Sequence, residues 1–195
     1  MAKPNVINKG ELIHFAKQCL VDSGIEKFTL RAVAEKAGVT QGTVYYHFRT
    51  KEQILVDIVQ DICESSWEEI SQVNEGIIKQ SLQSAKSRCR EDSFFHKLFF
   101  SLMVAGFNNP KIKDHLGDIL INENMALSEN LKKVWSKSPV DGVSVDTWGI
   151  LFNAIADGLA IQALLNRKFS VDKVYEELEY LFEGFTSMHA EEDNR

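Results

Sequence analysis

From Leu12 onward the apolar residues fall at intervals of three and four, the period of a helix with one buried face, in nine successive stretches. Leu12, Phe15, Ala16, Cys19 and Leu20 form the first, and Gly24 follows as its stop. Thr29 stands where an N-cap belongs. Behind it Leu30, Val33, Ala34 and Ala37 share one face, Arg31, Glu35 and Lys36 point the other way, and Gly38 closes the helix. Thr40 caps a very short third helix with Val44 and Phe48 inward. Thr50 caps a fourth, with Gln53 placed to complete a capping box, and Leu55, Ile58, Val59 and Ile62 carry that helix on toward Gly76. Helical periodicity returns over 77–90, 93–107, 112–136, 146–167 and 171–188, with breaks at 108–110 and 138–143. No period-two alternation competes, so the expected fold is all-α, about nine helices, with a three-helix head at the N-terminus and a larger helical body behind it.

The second and third helices, joined by Ala37-Gly38-Val39, make a helix-turn-helix. Two helices of about eight residues are too small to fold alone, so the first helix and the start of the fourth must close their core. The stretch VTQGTVYYHFRTKEQ, residues 39–53, then poses a problem. With Val44 and Phe48 inward, Gln41, Thr43, Tyr46 and His47 are left outside and Tyr45 sits at the edge. Exposed rings and hydroxyls in such density need something to meet. In a helix-turn-helix that something is the DNA major groove, entered by the second helix, and Gly42 removes a side chain where the backbone would approach.

Residues 28–55, FTLRAVAEKAGVTQGTVYYHFRTKEQIL, resemble the DNA-binding head of the tetracycline-repressor (TetR/AcrR) family. The pattern A-x-x-A-G-V-[ST]-x-G-x-[LIV]-Y-x-[HY]-F-x-[SNT]-K-[ED]-x-[LI] is matched at almost every position, and the likeness covers roughly residues 8–58, with the Ala-Asp-Gly-Leu-Ala stretch at 156–160 as a weaker echo. The resemblance implies a homodimeric repressor that reads a palindromic double-stranded operator. It implies that Gln41, Gly42, Thr43 and Tyr46 approach bases, that Thr29, Tyr45, His47 and Lys51 hold phosphates, and that Arg31 reaches a base or the backbone; Thr40 belongs to the same DNA-binding set. The chemistry agrees, since glutamine pairs with adenine, the threonine methyl meets thymine, and tyrosine hydroxyls and a lysine suit phosphates.

Charge is split accordingly. The chain carries −6 overall, but residues 1–60 hold eight Lys/Arg against six Asp/Glu, and residues 61–195 hold fourteen against twenty-two. A mildly basic head on an acidic body still binds DNA locally, because phosphate attraction is short-ranged in salt. The expected division is a helix-turn-helix DNA-binding domain at 1–53 and an effector-binding and dimerisation domain at 54–195.

In the body, residues 94–107 are apolar nearly all round, which marks a helix wrapped by protein or bordering an interior cavity. The family's bodies usually enclose a small-molecule pocket, so Phe95, Phe99, Met103, Met125, Trp148 and Phe152 are the candidate lining for a small hydrophobic or aromatic effector, with core packing as the plainer reading of each. His96 reads as a satisfied or surface histidine, because no second ligand stands at metal spacing. The last two helices carry wide apolar faces that need more cover than one neighbour gives. Gly158, Leu159, Gln162, Leu178, Leu181, Phe182 and Phe185 are the candidate dimerisation residues, with Gly149, Ala154 and Gly158 as gaps for a partner backbone.

Other classes find little support. No Ser/His/Asp, Cys/His or phosphate-loop arrangement suggests an enzyme, and no metal or cofactor is expected. A thiol sensor working through Cys63 or Cys89, or a small-molecule-binding protein of the same fold with little DNA role, stays as the alternative. Three widely spaced cysteines make no disulfide framework, the start MAKPNVINKG lacks a signal peptide's apolar core, and Phe99 to Pro110 is too short to span a bilayer. The expectation is a cytoplasmic protein with no membrane partner.

Overall fold

The computed structural model describes residues 7–72, 76–90 and 93–192, the side chains of 186–192 excepted. Among the described residues there are nine α-helices and no strand: α1 (Lys9–Ser23), α2 (Leu30–Ala37), α3 (Gln41–Phe48), α4 (Lys51–Ser71), α5 (Ile77–Arg88), α6 (Phe95–Gly106), α7 (Pro110–Val134), α8 (Val145–Leu165) and α9 (Val171–Glu192). The all-α expectation holds, and the boundaries follow the punctuation read from the sequence. Thr29 and Thr40 each accept a backbone N–H as N-caps, and Gly38, at φ 67°, ends α2 in the left-handed conformation that a side chain would strain. α4 stops at Ser71 rather than continuing toward Gly76, because its last buried residue is Ile70 and Ser71 and Gln72 lie in water.

The capping box expected at Thr50 is only half made. Gln53 N donates to Thr50 Oγ1 at 3.0 Å, but the amide of Thr50 donates to Phe48 O at 2.6 Å and the Gln53 side chain donates to Asp57 Oδ1. The cause is Arg49, which at φ 62° and ψ −43° turns the chain through a three-residue γ-turn and draws Thr50 back onto α3. A complete box lies instead at the start of α1, where Asn8 and Glu11 each accept the other's backbone N–H.

The helices pack as two compact units. The first takes the described residues of Met1–Ile62 together with Lys97–Leu116; the second is Cys63–His96 with the described residues of Gly117–Arg195. These limits are set by packing and differ from the boundary at 53/54 drawn from sequence.

In the first unit, Leu12, Ala16 and Leu20 of α1, Val33 of α2, Val44 and Phe48 of α3, and Ile54 and Ile58 of α4 close one core around Phe28. Lys9 and Gln53 hold the buried carboxylate of Asp57. His115 at the start of α7 bridges two turns of α4: its Nε2–H faces Gln60 Oε1 at 2.9 Å and its Nδ1 faces the Gln53 amide at 3.4 Å, a pattern one neutral tautomer satisfies.

In the second unit, Phe152 of α8 stacks on Phe182 of α9 with centroids 3.9 Å apart, and Trp135, Trp148 and Phe185 extend the cluster at 5.3–6.1 Å. α8 also meets α7 closely at Gly149, where a Cβ would lie 2.3 Å from Ser128 Oγ and 2.8 Å from Asn124 O. Gly149 is therefore a gap filled from within the chain rather than one left for a partner, whereas Gly158 has nothing within 4 Å of its Cβ position.

Candidate nucleic-acid interface

The short helix α3 divides as its sequence requires. Val44 and Phe48 are fully buried, and Gln41, Gly42, Tyr45 and Tyr46 are exposed, Tyr46 by 70%, with Thr43 and His47 half-buried beside them. Ile7, Val39, Thr40, Gly42, Thr43, Tyr46 and His47 line an open groove of about 580 Å³. A Cβ on Gly42 would meet only Thr40 Oγ1, at an ordinary 3.6 Å. Among the described residues nothing thus requires glycine there, although glycine within a helix costs about 0.5–1 kcal/mol against alanine.

The other candidate residues are held less freely. Thr29 and Thr40 spend their hydroxyls capping α2 and α3, Thr40 also meeting Thr43 Oγ1 at 3.0 Å. Arg31 pairs with Glu35 at 2.8 Å on the exposed face of α2. Lys51 is not a loose point charge: its Nζ donates to Ile25 O at 3.1 Å and lies 5.9 Å from the Phe28 ring centroid, tying the first turn of α4 to the α1–α2 connection.

Sequence reasoning passed over Arg49. Its guanidinium lies 5.6 Å from the Tyr45 centroid and 5.8 Å from that of Tyr46, so a cation sits beside the two exposed rings. The signal available was a basic residue directly after the family's H-F pair, in a slot that the pattern leaves open.

The body's candidates are scattered. Phe95 and Phe99 are buried, Trp148 and Phe152 belong to the aromatic cluster, Met103 is half-exposed and Met125 is exposed by 61%. Phe99 and Met103 belong to the first unit, the other four to the second. Of the dimerisation set, Gly158, Gln162 and Leu181 are exposed, Leu159, Leu178 and Phe185 are half-buried, and Phe182 is buried within its own chain. Burial pushes the thiols of Cys19, Cys63 and Cys89 above the ordinary cysteine value, which leaves them protonated and inert at neutral pH.

The sequence also hid a set of polar residues inside the second unit. Trp67 Nε1 donates to Glu123 Oε1 at 2.6 Å, and Cys89 Sγ lies 3.4 Å from Tyr175 OH. His96 is buried rather than on the surface, its Nδ1 3.2 Å from Arg88 O and its Nε2 3.7 Å from Asp157 Oδ1.

A helix-turn-helix with an outward reading face, capped and closed by α1 and α4, defines a sequence-reading DNA-binding protein. Comparison with known proteins gives the same class and narrows it. Residues 12–58 match the family described as bacterial regulatory proteins, tetR family. The chain is 34% identical over 53 residues to the transcriptional repressor KstR2 of Mycolicibacterium smegmatis, a match that spans 27% of this chain and only 26% of that protein. It is 22% identical over 168 residues to the transcriptional regulator UidR of Escherichia coli K12, covering 78% of this chain and 84% of that one. Among solved structures, a TetR-family regulator from Rhodococcus superposes with a TM-score of 0.69 at 15% identity, covering 90% and 96% of the two chains. The multidrug binding protein EbrR, complexed with proflavin, does so with a TM-score of 0.58 at 18% identity over 89% and 98%. The likeness to the tetR family's regulatory proteins is thus carried by residues 12–58, and the solved structures extend a likeness of fold alone over most of the chain.

Proposed function

We propose that the protein is a homodimeric repressor, with residues 1–53 reading half of a palindromic operator and residues 54–195 pairing the subunits and binding a small hydrophobic effector that releases the DNA. The observation that carries the reading lies on α8. Ile150, Leu151, Ile161 and Leu165 are exposed there, with Ala154 and Gly158 between them, and Tyr180 and Leu181 are exposed on α9. α8 has the length and composition of a membrane span, more so than the 99–110 run, yet only 17% of its most apolar window is buried. Its other face carries Asn153, bonded to Asn124, and Asp157, which suits packing on protein. A second copy covers such a stripe and makes a four-helix contact.

Two heads so joined read sites about 34–36 Å apart, one turn of the double helix. The effector reading rests on Phe95, Trp148 and Phe152 in the second unit, and on EbrR, a protein of this fold, having been solved with an aromatic molecule bound. The effector would act by favouring a head spacing that does not fit the operator, and α4, unbroken from Lys51 to Ser71, is the element to carry that change. The exposed rings of Tyr45 and Tyr46 speak against a body that has lost its DNA role, and the buried thiols speak against a redox sensor.

Selection of genomic fragments by the pure protein, followed by footprinting, tests the reading. A palindrome protected by a dimer is the expected result, and protection of one half-site by a monomer would overturn it. On the selected site, Tyr46→Ala is expected to weaken specific binding about tenfold with the melting temperature unchanged, the scale of one lost base contact. Lys51→Ala is expected to weaken binding to all sequences and lower the salt slope by about one. Full operator affinity in both variants, read by fluorescence anisotropy, would show that α3 and the start of α4 do not face DNA.

A further inference from the structure

Resting on the reading that the head binds DNA, we propose that Arg49 is a further DNA-binding residue, a guanidinium that pairs with a backbone phosphate beside the rings of Tyr45 and Tyr46, and that the chain keeps a strained backbone to place it there. Arg49 has φ 62° and ψ −43°. Among the described residues it is the one non-glycine residue at positive φ, every other such position being glycine. A side chain is disfavoured in that region and glycine is not. An arginine at 49 therefore carries a conformational cost that glycine would remove.

No ion pair or hydrogen bond of its guanidinium offsets that cost among the described residues. Arg49 is exposed, and its side chain meets only the rings of Tyr45 and Tyr46, at 5.6 and 5.8 Å from their centroids. Those rings are themselves 52% and 70% exposed, so the contact leads outward. Cations nearby are engaged within the chain. Arg31 pairs with Glu35, and Lys51, two residues on, gives its Nζ to Ile25 O. At the turn from α3 to α4, Arg49 is the cation left to meet a charge from outside. Its place along α3 favours phosphate over base. In a helix-turn-helix the N-terminal residues of the second helix lie nearest the bases. Arg49 follows the last residue of α3, at the far end from Gln41 and Gly42, and so faces the sugar–phosphate backbone. A guanidinium offers a phosphate a fork of N–H donors, and two rings beside it restrain the side chain before it binds.

Arg49→Gly, Arg49→Gln and Arg49→Lys are compared with the parent on the genomic fragment that the parent selects and on a labelled duplex of unrelated sequence, by fluorescence anisotropy over a range of salt. The glycine and glutamine variants are expected to bind both duplexes about tenfold less tightly, the scale of one charged hydrogen bond. Their slope of log affinity against log salt is expected to fall by about one for each head bound. Arg49→Lys keeps the charge and is expected to restore most of that slope. Arg49→Gly is also expected to melt at or above the parent's temperature, because glycine takes the turn without strain. An unchanged slope in Arg49→Gln overturns the phosphate contact and leaves the DNA reading standing, since a residue that only braces the tyrosine rings neutralises no phosphate. A loss confined to the selected fragment also overturns it, by marking a base contact. Melting of Arg49→Gly well below the parent overturns the strained backbone as a feature kept for DNA. A parent that binds neither duplex overturns both this inference and the DNA reading. The glutamine and lysine variants decide the contact even if Arg49→Gly does not fold.

Discussion

Replacing Gly149 by alanine is expected to lower the melting temperature by about 6–12 °C, from a loss of about 3 kcal/mol spread over the unfolding entropy of a chain this size. The added methyl would lie 2.3 Å from Ser128 Oγ, 2.8 Å from Asn124 O and 3.1 Å from Ser128 N. The hydroxyl can rotate away. The two backbone atoms belong to a continuous turn of α7 and cannot move unless the helices separate. The control is Gly117→Ala, in α7 itself, where the Cβ position has nothing within 4 Å. That change is expected to stabilise by about 0.5–1 kcal/mol through helix propensity alone. Thermal unfolding of the two variants beside the parent decides it, and equal melting temperatures would mean that α7 and α8 are further apart than described.

A charge at Leu181 is expected to turn the proposed dimer into a folded monomer and to cost about 10²- to 10⁴-fold in operator affinity, the scale of losing a second linked binding module. Leu181 is 49% exposed in the single chain, so Leu181→Asp leaves the chain's own core intact. Its neighbour behaves oppositely. Phe182 is 1% exposed and stacked on Phe152, so Phe182→Asp is expected to unfold the second unit by burying an unpaired charge. Sedimentation and circular dichroism separate the two outcomes. A dimeric Leu181→Asp variant would mean that the stripe on α8 and α9 is covered in some other way.

Helices were legible in this sequence because each carries its own punctuation. Thr29, Gly38 and Thr40 act within a few residues of where they stand, and the period of three and four needs no knowledge of neighbours. The outward face of α3 was legible for the same reason: fixing Val44 and Phe48 inward fixes where Gln41 and Tyr46 point. What failed to show were properties set by other helices. Nothing local separates Leu181 from Phe182, and only the place of α8 makes one a surface residue and the other core. Gly149 and Gly158 look alike in sequence, yet one lies against α7 and the other faces open space. His96 could be read only as a lone histidine, since its partners Arg88 and Asp157 stand 8 and 61 positions away. Met125 looked like pocket lining because apolar character is easy to read and the direction a side chain takes late in a long helix is not.

The three buried cysteines make the protein a ready frame for distance measurement. Cys19, Cys63 and Cys89 keep their protons and little accessible surface, so thiol reagents that capture thiolates pass them by. A cysteine introduced at exposed Glu52, in the first turn of α4, would be the one position to take a spin label or a fluorophore, with no native thiol removed. In a dimer that gives two labels, one near each DNA-reading helix. Their separation, followed as operator and then effector are added, would be recorded in solution on the unmodified core.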